Sequence, residues 1–335
     1  MLEKLKIKNA TLREALSEFA GTFVLVTVNK SVPFSSLEPG NSEPHSPWRK
    51  VVPEFSSTSW SSSDASSPAR ALFGNAVLAS LTFDRAGVVS YTAAFWGWGL
   101  AVMLGVLVAG GASGAHLNPA VTVALATVRK FSWRKILPYI AAQYLGAFLA
   151  AVVLYITYLG ALDQFDGGIR RVTGVNATAG IFASYPRDFV GTGNGLLDQV
   201  VGTALLTMAI LAVIDGRNMA VASGLQPLFI GLALAAIVLC FGYNCGAPLN
   251  PARDLGPRVF TAMAGWGGEV FSFRDYNWFW VPIVGPHIGA IVGAWLYTLA
   301  VELHWPGSSY DMESGNPVSA KDGAYYAQPP PQGGR

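Results

Sequence analysis

The feature that most constrains this chain is a repeated tripeptide. Asn-Pro-Ala occurs as Asn118-Pro119-Ala120 and again as Asn250-Pro251-Ala252, 132 residues later (250 − 118). Each copy opens a short apolar stretch, and the copies stand at matching places in two apolar halves of the chain. Interrupted apolar segments in corresponding positions are typical of membrane proteins built from inverted repeats. The pair therefore predicts two related halves.

The composition independently indicates a membrane protein. Hydrophobic residues make up 52% of the 335 residues, charged residues 13%, and the mean hydropathy is +0.39, which is too apolar for an ordinary soluble domain. Two apolar segments, Asn118–Val128 and Asn250–Met263, are too brief to span a bilayer. Six others are long enough or nearly so: Leu12–Val28, Val89–Gly110, Leu137–Leu162, Leu197–Ile214, Leu225–Phe241 and Trp280–Leu303. We predict an all-α membrane protein with six transmembrane helices and two half-helices that meet at the midplane.

Each tripeptide suits the start of a helix that begins inside the membrane. Asn is a favoured N-cap, and Pro is tolerated in the first turn because its missing N–H has no helical partner there. In an inverted repeat the half-helices enter from opposite sides, so their positive dipole ends converge near the midplane. The amides of Asn118 and Asn250 would then point donors into a lumen, because irregular backbone at this depth is tolerated beside a water-filled path.

The flanking residues sharpen this interpretation. The first copy lies in Ser113-Gly-Ala-His-Leu-Asn-Pro-Ala-Val-Thr122 and the second in Asn250-Pro-Ala-Arg-Asp-Leu-Gly-Pro-Arg258. The chain resembles the aquaporin or major intrinsic protein family over most of residues 12–305, and Asp254 after Arg253 resembles its aquaglyceroporin branch. The resemblance implies a homotetramer with a passive channel in each protomer. It implies conduction of glycerol, other small neutral solutes and water, exclusion of protons and ions, and no cofactor.

Arg253 is the residue most expected to decide what permeates. A charged side chain this deep in a membrane is costly unless it faces a cavity or a partner. The resemblance places it in the selectivity filter, the narrowest point, together with Trp98, Val238 and Ala247. Trp98 would offer a polyol an apolar wall while Arg253 binds its hydroxyls. Val238 stands where the branch usually has Gly, and Ala247 where a larger side chain is common, so the two either compensate in volume or reshape the pore.

Further residues resemble markers of the glycerol-conducting branch: Tyr158, Asp254, Arg258, Pro282 and Ile283. Asp254 and Arg258 are four residues apart on the predicted half-helix, so they can pair on one face. We expect Asp254 to shape an adjoining loop rather than to touch the solute.

Polar residues within the spans are expected to support the half-helices. Glu18 and Gln143 stand among apolar neighbours, which favours hydrogen bonds to the half-helix loops. By analogy with the family, Glu18 lies within range of the loop that carries His116. A His beside a buried carboxylate is a candidate for gating by pH. The alternative is that His116 only lines the cytoplasmic vestibule.

Basic residues predict the orientation. They cluster at the start of the chain and in the loop after the first half-helix, and the positive-inside rule places both regions in the cytoplasm. Both termini are then cytoplasmic, and the loop between the third and fourth spans is outside. That loop carries Asn176 in an Asn-Ala-Thr acceptor for N-glycosylation, which is either modified or bare. We expect a multi-pass protein in the lipid bilayer of the plasma membrane.

Two segments depart from the channel domain, which we place at residues 1–305. Residues 27–70 are rich in Ser and Pro, which predicts disorder, yet they interrupt the first span. Either Leu12–Val28 forms that span and the rest loops outside, or the segment is an artefact such as a retained intron. Residues 306–335 are polar and predict a disordered cytoplasmic tail.

Other classes of function find little support. The net charge of +2 gives no reason to invoke nucleic acid, and the four scattered His residues form no zinc motif. No catalytic triad or phosphate-binding loop stands out, so we expect no enzyme and no metal site. Two alternatives stay open: a water-selective aquaporin, which Val238 favours, and a junctional or scaffolding membrane protein with little flux.

Overall fold

The described part of the chain is helical throughout its regular structure. The computed structural model of the protein describes residues 9–26, 74–84 and 92–304, and these contain no strand. The helices are α1 (Ala10–Val26), α2 (Gly74–Phe83), α3 (Thr92–Ser113), α4 (Pro119–Thr127), α5 (Ile136–Asp166), α6 (Thr192–Ile214), α7 (Gln226–Cys245), α8 (Pro251–Thr261), α9 (Glu269–Ser272) and α10 (Val281–Ala300). The predicted all-α class is confirmed. The atypical segment 27–70 and the tail 306–335 lie outside the described residues.

The helices sort by length into spans and half-helices. Within the described ranges, α3, α5, α6, α7 and α10 are long and apolar enough to cross a membrane. α1, predicted as the first span, has 17 described residues, which is about 25 Å at 1.5 Å per residue. α4 and α8 have 9 and 11 residues and are too short to cross. Each begins directly after the Asn of one tripeptide.

The two halves pack in the same way and interlock. α1 packs against α3 and α5, as α6 packs against α7 and α10. α4 lies chiefly on α10 and α8 chiefly on α5, so each half-helix rests on a span of the other half. A Cβ at Gly21 of α1 would lie 2.5 Å from Leu117, and one at Gly202 of α6 would lie 2.8 Å from Leu249. Only glycine allows α1 and α6 to approach the residues just before α4 and α8 this closely.

α2 completes the packing surface that α1 begins. Ala79 of α2 packs in one cluster with Ala151 and Leu154 of α5. In the second half, Leu211 near the end of α6 packs with Ala294 of α10. Since α5 and α10 have equivalent positions, α2 lies against α5 where the last turns of α6 lie against α10. α1 and α2 therefore cover together the surface that α6 covers as one helix.

This arrangement makes the joining of α1 to α2 testable. Each added residue rotates a following helix by about 100°, so deletions of residues 27–70, 27–71, 27–72 and 27–73 sample one helical turn at the junction. We expect one register to keep Ala79 against Ala151 and to melt at or above the temperature of the full chain. The measurement is thermal unfolding of purified protein in detergent.

The control for this series removes residues 74–83 and should lower the melting temperature. If all four junctions are less stable than the full chain, α1 and α2 do not form one span.

Candidate functional site

A single long cavity connects the two halves. It has a volume of about 610 Å³ and is lined by Lys130 and Gln226 at one end and by Arg253 at the other. Asn118 and Asn250 both line it. Its apolar wall includes Val102, Val106, Leu206, Ile210, Leu234 and Val238. The two tripeptides therefore meet on one continuous cavity. We call its two ends the Lys130 end and the Arg253 end.

Two loops of unusual backbone precede the half-helices. We call residues 114–118 the first loop and residues 246–250 the second loop. Three positions in each have positive φ: Gly114 (85°), Ala115 (50°) and Leu117 (55°), and Gly246 (77°), Ala247 (44°) and Leu249 (47°). Non-glycine residues in this region are strained and persist only when surrounding contacts hold them. The identical pattern shows that the repeat extends to the backbone conformation.

The two loops are tied to each other by the asparagines. Asn118 Nδ2 donates to the Leu249 carbonyl at 2.9 Å, and Asn250 Nδ2 donates to the Leu117 carbonyl at 2.8 Å. The side-chain oxygen of each caps its own half-helix by accepting from the backbone N–H of Ala120 or Ala252. Each amide carries a second N–H, so both can also offer a donor to the cavity they line.

Glu18 holds the first loop from α1. Its two carboxylate oxygens accept the backbone N–H groups of His116 (2.8 Å) and Leu117 (2.7 Å). They also accept the Ser113 hydroxyl and the Gln143 amide, each at 2.7 Å. Glu18 and Gln143 are fully buried. A carboxylate is a pure acceptor, so four donors converging on it leave little freedom for the loop.

The second loop is held from α6 by residues that sequence reasoning missed. Gln199 Oε1 accepts the Leu249 backbone N–H at 3.0 Å, the bond equivalent to the one that Glu18 makes to Leu117. The preceding residue, Asp198, accepts from Gln199 Nε2 at 3.1 Å. Two adjacent polar residues inside an otherwise apolar span were the available signal.

The four predicted filter residues meet at the Arg253 end. Trp98, Val238, Ala247 and Arg253 are all buried and all line the cavity. The Arg253 guanidinium carbon lies 4.5 Å from the centroid of the Trp98 ring, a cation–π geometry. Arg253 Nη1 is buried and makes no hydrogen bond within the described chain. A cation with an unused donor therefore lies beside an aromatic face.

Asp254 and Arg258 lie behind the filter and anchor a loop. Arg258 donates to Asp254 Oδ1 from Nε (3.0 Å) and Nη2 (2.8 Å). Asp254 Oδ2 accepts the Ser184 backbone N–H at 2.7 Å, and Arg258 returns a bond to the Ser184 carbonyl. Arg253 Nη1 is 3.6 Å from Asp254, so the carboxylate is engaged mainly by Arg258. Asp254 does not line the cavity, whereas Arg253 does.

His116 lies on the cavity wall in the first loop. Its Nδ1 is 3.2 Å from the Thr122 hydroxyl, and its ring packs against Phe131 and Tyr139. Glu18 reaches its backbone N–H. The contact predicted between this loop and the carboxylate is therefore made through the main chain, while the ring faces Thr122.

Ion pairs organise the Lys130 end. Glu302, just after α10, accepts from Lys130 at 2.6 Å and from Arg217 at 3.2 Å. Arg217 also pairs with Asp215 at the end of α6. Burial opposes ionisation of Asp215, but hydrogen bonds from the Arg217 main chain and side chain outweigh it and lower its pKa. The charged groups therefore fix the loop after α6 to the end of α10.

The remaining predicted residues lie away from the cavity. Tyr158 is half-buried near Phe83, with ring centroids 6.2 Å apart. Pro282 is buried in the first turn of α10, and the Ile283 carbonyl is 2.8 Å from a nitrogen of His287. Asn176 is half-buried in the loop between α5 and α6. Among the described residues, the cavity wall includes none of these.

Comparison with known proteins agrees with this geometry. The family profile described as "MIP: Major intrinsic protein" matches residues 4–297. An Aquaporin-10 of Milnesium tardigradum is 45% identical over 247 residues, which is 70% of this chain but only 60% of the relative. An Aquaglyceroporin-2 of Rhizophagus irregularis is 43% identical over 238 residues, 71% of this chain and 74% of the relative.

The fold has a solved counterpart. The X-ray structure of the aquaglyceroporin from Plasmodium falciparum matches with a TM-score of 0.66 and 26% identity, over 88% of this chain and 98% of that one. The chain therefore belongs to the major intrinsic protein family, a family of multi-pass membrane channels. The predicted resemblance to its aquaglyceroporin branch is confirmed.

The anchor behind the filter predicts a large effect of one substitution. Asp254→Asn leaves the buried Arg258 guanidinium without its counter-charge, so we expect the free energy of unfolding to fall by about 3–5 kcal/mol. The measurement is denaturant or thermal unfolding in detergent. The matched control is Asp163→Asn, because the Asp163 side chain is 52% exposed and such ion pairs contribute roughly 0–1 kcal/mol. Equal losses in the two variants would contradict the anchoring role.

Proposed function

We propose that the protein is a passive channel that conducts glycerol, other small neutral solutes and water, and excludes protons and ions. The observation that carries this proposal is a continuous cavity that ends at the Arg253 guanidinium, whose carbon lies 4.5 Å from the centroid of the Trp98 ring. A polyol has hydroxyls for the guanidinium on one side and carbon atoms for the indole on the other. Relatives named aquaporins and aquaglyceroporins support the same assignment.

The electrostatics of the cavity support exclusion of cations. The charge of Arg253 is only loosely paired, since Asp254 lies 3.6 Å from it and binds Arg258 at 2.8 Å. α4 and α8 both begin at the cavity, at Asn118 and Asn250, and so direct their positive dipole ends toward its middle. An Arg and converging half-helix dipoles are the barriers known from aquaporin-type pores.

The orientation and assembly follow from the same family. We propose that the Lys130 end opens to the cytoplasm, that both termini are cytoplasmic, and that the loop with Asn176 is extracellular, where Asn176 is a candidate for glycosylation. Homotetramers in the plasma membrane, each protomer with its own channel, complete the proposal. Residues 1–305 form the channel domain, with 27–70 inserted in the first span region and 306–335 as a cytoplasmic tail.

The direct test is stopped-flow light scattering on proteoliposomes, comparing osmotic water flux with glycerol uptake. Glycerol entry faster than in protein-free vesicles supports the proposal. Fast water flux without glycerol entry would establish the water-selective alternative and would mean that Val238 closes the filter to glycerol. Negligible flux of both would favour the scaffolding alternative.

The filter residues predict opposite effects of two substitutions. Ala247→Phe places a ring in the filter and should lower glycerol flux by about tenfold or more, with a smaller effect on water, because pore diameter limits the larger solute. Val238→Gly enlarges the filter and should raise the ratio of glycerol to water flux. Leu239→Ala is the matched control, because Leu239 is 56% exposed on the other face of α7. Equal ratios of glycerol to water flux in all variants would show that positions 247 and 238 do not form the filter.

His116 supplies a test of gating. Thr122 donates its one hydroxyl proton to the Asn118 carbonyl at 3.0 Å, so His116 Nδ1 donates to the Thr122 oxygen whether the ring is neutral or protonated. Protonation therefore leaves the ring in place and adds a positive charge to the cavity wall, which can change the flux. The carboxylates that act on His116 are Glu18 and Glu14. We expect His116→Ala to abolish any change of flux between about pH 7.5 and pH 5.5, and His287→Ala to preserve it. An unchanged pH profile in His116→Ala leaves His116 as a wall residue only.

A further inference from the structure

The two loops are held by chemically different groups. At the first loop, Glu18 accepts four donors directly with one carboxylate. At the second loop, the group that reaches the backbone is the amide of Gln199, which offers a single acceptor oxygen to the Leu249 N–H. The carboxylate of this second support belongs instead to the neighbouring residue, Asp198.

An amide can hold the loop in only one of its two orientations. Gln199 Oε1 must face the Leu249 N–H, because the NH2 group in that place would oppose one donor with another. In the structure, Nε2 is directed away from the loop and donates to Asp198 Oδ2 and to Cys245 Sγ, each at 3.1 Å. Gln199 is fully buried, so water does not compensate a wrong orientation.

Asp198 supplies the acceptor that fixes this orientation. It is 7% exposed, and its Oδ1 accepts the Asn244 amide at 2.9 Å. Its Oδ2 accepts from Gln199 and also from the Cys245 thiol at 3.3 Å. An ionised carboxylate accepts hydrogen bonds only, so it selects the NH2 side of the Gln199 amide.

We propose that Asp198 and Gln199 form a coupled positioning pair for the selectivity filter: Asp198 orients the Gln199 amide, and Gln199 holds the second loop at Leu249. Ala247, a filter residue, lies two positions before Leu249, and both have the positive φ that external contacts must maintain. The inference rests on the proposed function, because its readout is solute flux. It adds two residues to the determinants of the filter without requiring that either touches the solute.

The pair has room for one negative charge. A carboxylate at position 199 would face Asp198 at about the present 3.1 Å separation, and two buried like charges at this distance cannot both ionise readily. Cys245 of α7 adjoins both side chains, and Asp254 and Arg253 of α8 lie within electrostatic range of the Cys245 thiol. α10 presents Gly285, whose added Cβ would lie 2.6 Å from the Cβ of Gln199. The Gln199 side chain is therefore packed closely against α10 at its Cβ, and it is fully buried.

A charge exchange tests the coupling. Gln199→Glu should lower glycerol flux per folded channel by about tenfold or more near pH 7.5, and the loss should shrink near pH 5, since one proton relieves the repulsion. The double variant D198N/Q199E moves the charge to position 199, where a carboxylate can accept the Leu249 N–H as Glu18 does for Leu117. We expect it to regain flux to within about twofold of the unmodified chain.

Controls separate charge from shape and from folding. Asn and Asp have the same shape, so recovery by Asp198→Asn comes from the lost charge and from the amide donor that replaces it, not from a change of size. D163N/Q199E removes one carboxylate at a distant position and should not regain glycerol flux. Flux is expressed relative to the unmodified chain at each pH, and per folded protein. If Q199E does not yield folded protein, recovery of monodisperse protein in D198N/Q199E, but not in D163N/Q199E, is the readout.

The inference is overturned if Q199E conducts like the unmodified chain at both pH values, or if D198N/Q199E is no better than Q199E alone. Failure of the proposed function is distinguishable, because then the unmodified chain itself would not conduct glycerol. In that case water flux provides the same comparison of variants.

Discussion

The structure depends on one requirement: the backbone groups of the loops before α4 and α8 must find hydrogen-bond partners. Both helices begin inside the membrane, where unpaired backbone groups are costly. The loops before α4 and α8 meet this requirement partly through each other, since Asn118 donates to the Leu249 carbonyl and Asn250 to the Leu117 carbonyl. Because these bonds cross between the halves, neither loop reaches its conformation alone. The packing of α4 on α10 and of α8 on α5 follows from the same exchange.

The strained loops also need support from the spans. The cavity stays open because the supporting side chains bind the side of each loop that is turned away from it. Glu18 in α1 and Gln199 in α6 bind the backbone N–H groups, which leaves the opposite side of each loop to line the cavity. The same separation holds at the filter. Asp254 and Arg258 bind each other and Ser184 away from the cavity, whereas Arg253, which is 3.6 Å from Asp254, lines it.

Sequence patterns located the helices well and the supports unevenly. Glu18 is a lone charge in an apolar span, which made it a clear candidate. Asp198 and Gln199 lie near the start of α6 and were not predicted, although polar residues in a span carry the same signal. The position of α2 was not predictable from periodicity, because α2 has only 10 residues and its place depends on contacts with α3 and α5. The tertiary structure shows that α2 packs on Ala151 and Leu154 of α5, as the end of α6 packs on α10.

The sequence by itself determined the five long spans among the described residues, the starts of both half-helices, the i,i+4 pair of Asp254 and Arg258, and the family. These features depend on local rules of hydropathy, capping and helical spacing, which a single segment satisfies alone. The tertiary structure decided which carbonyl each Asn binds, which residues hold the second loop, and how Arg253 lies over Trp98. These contacts join residues as far as 155 positions apart along the chain (253 − 98), and only the packing of the two halves brings such partners into contact.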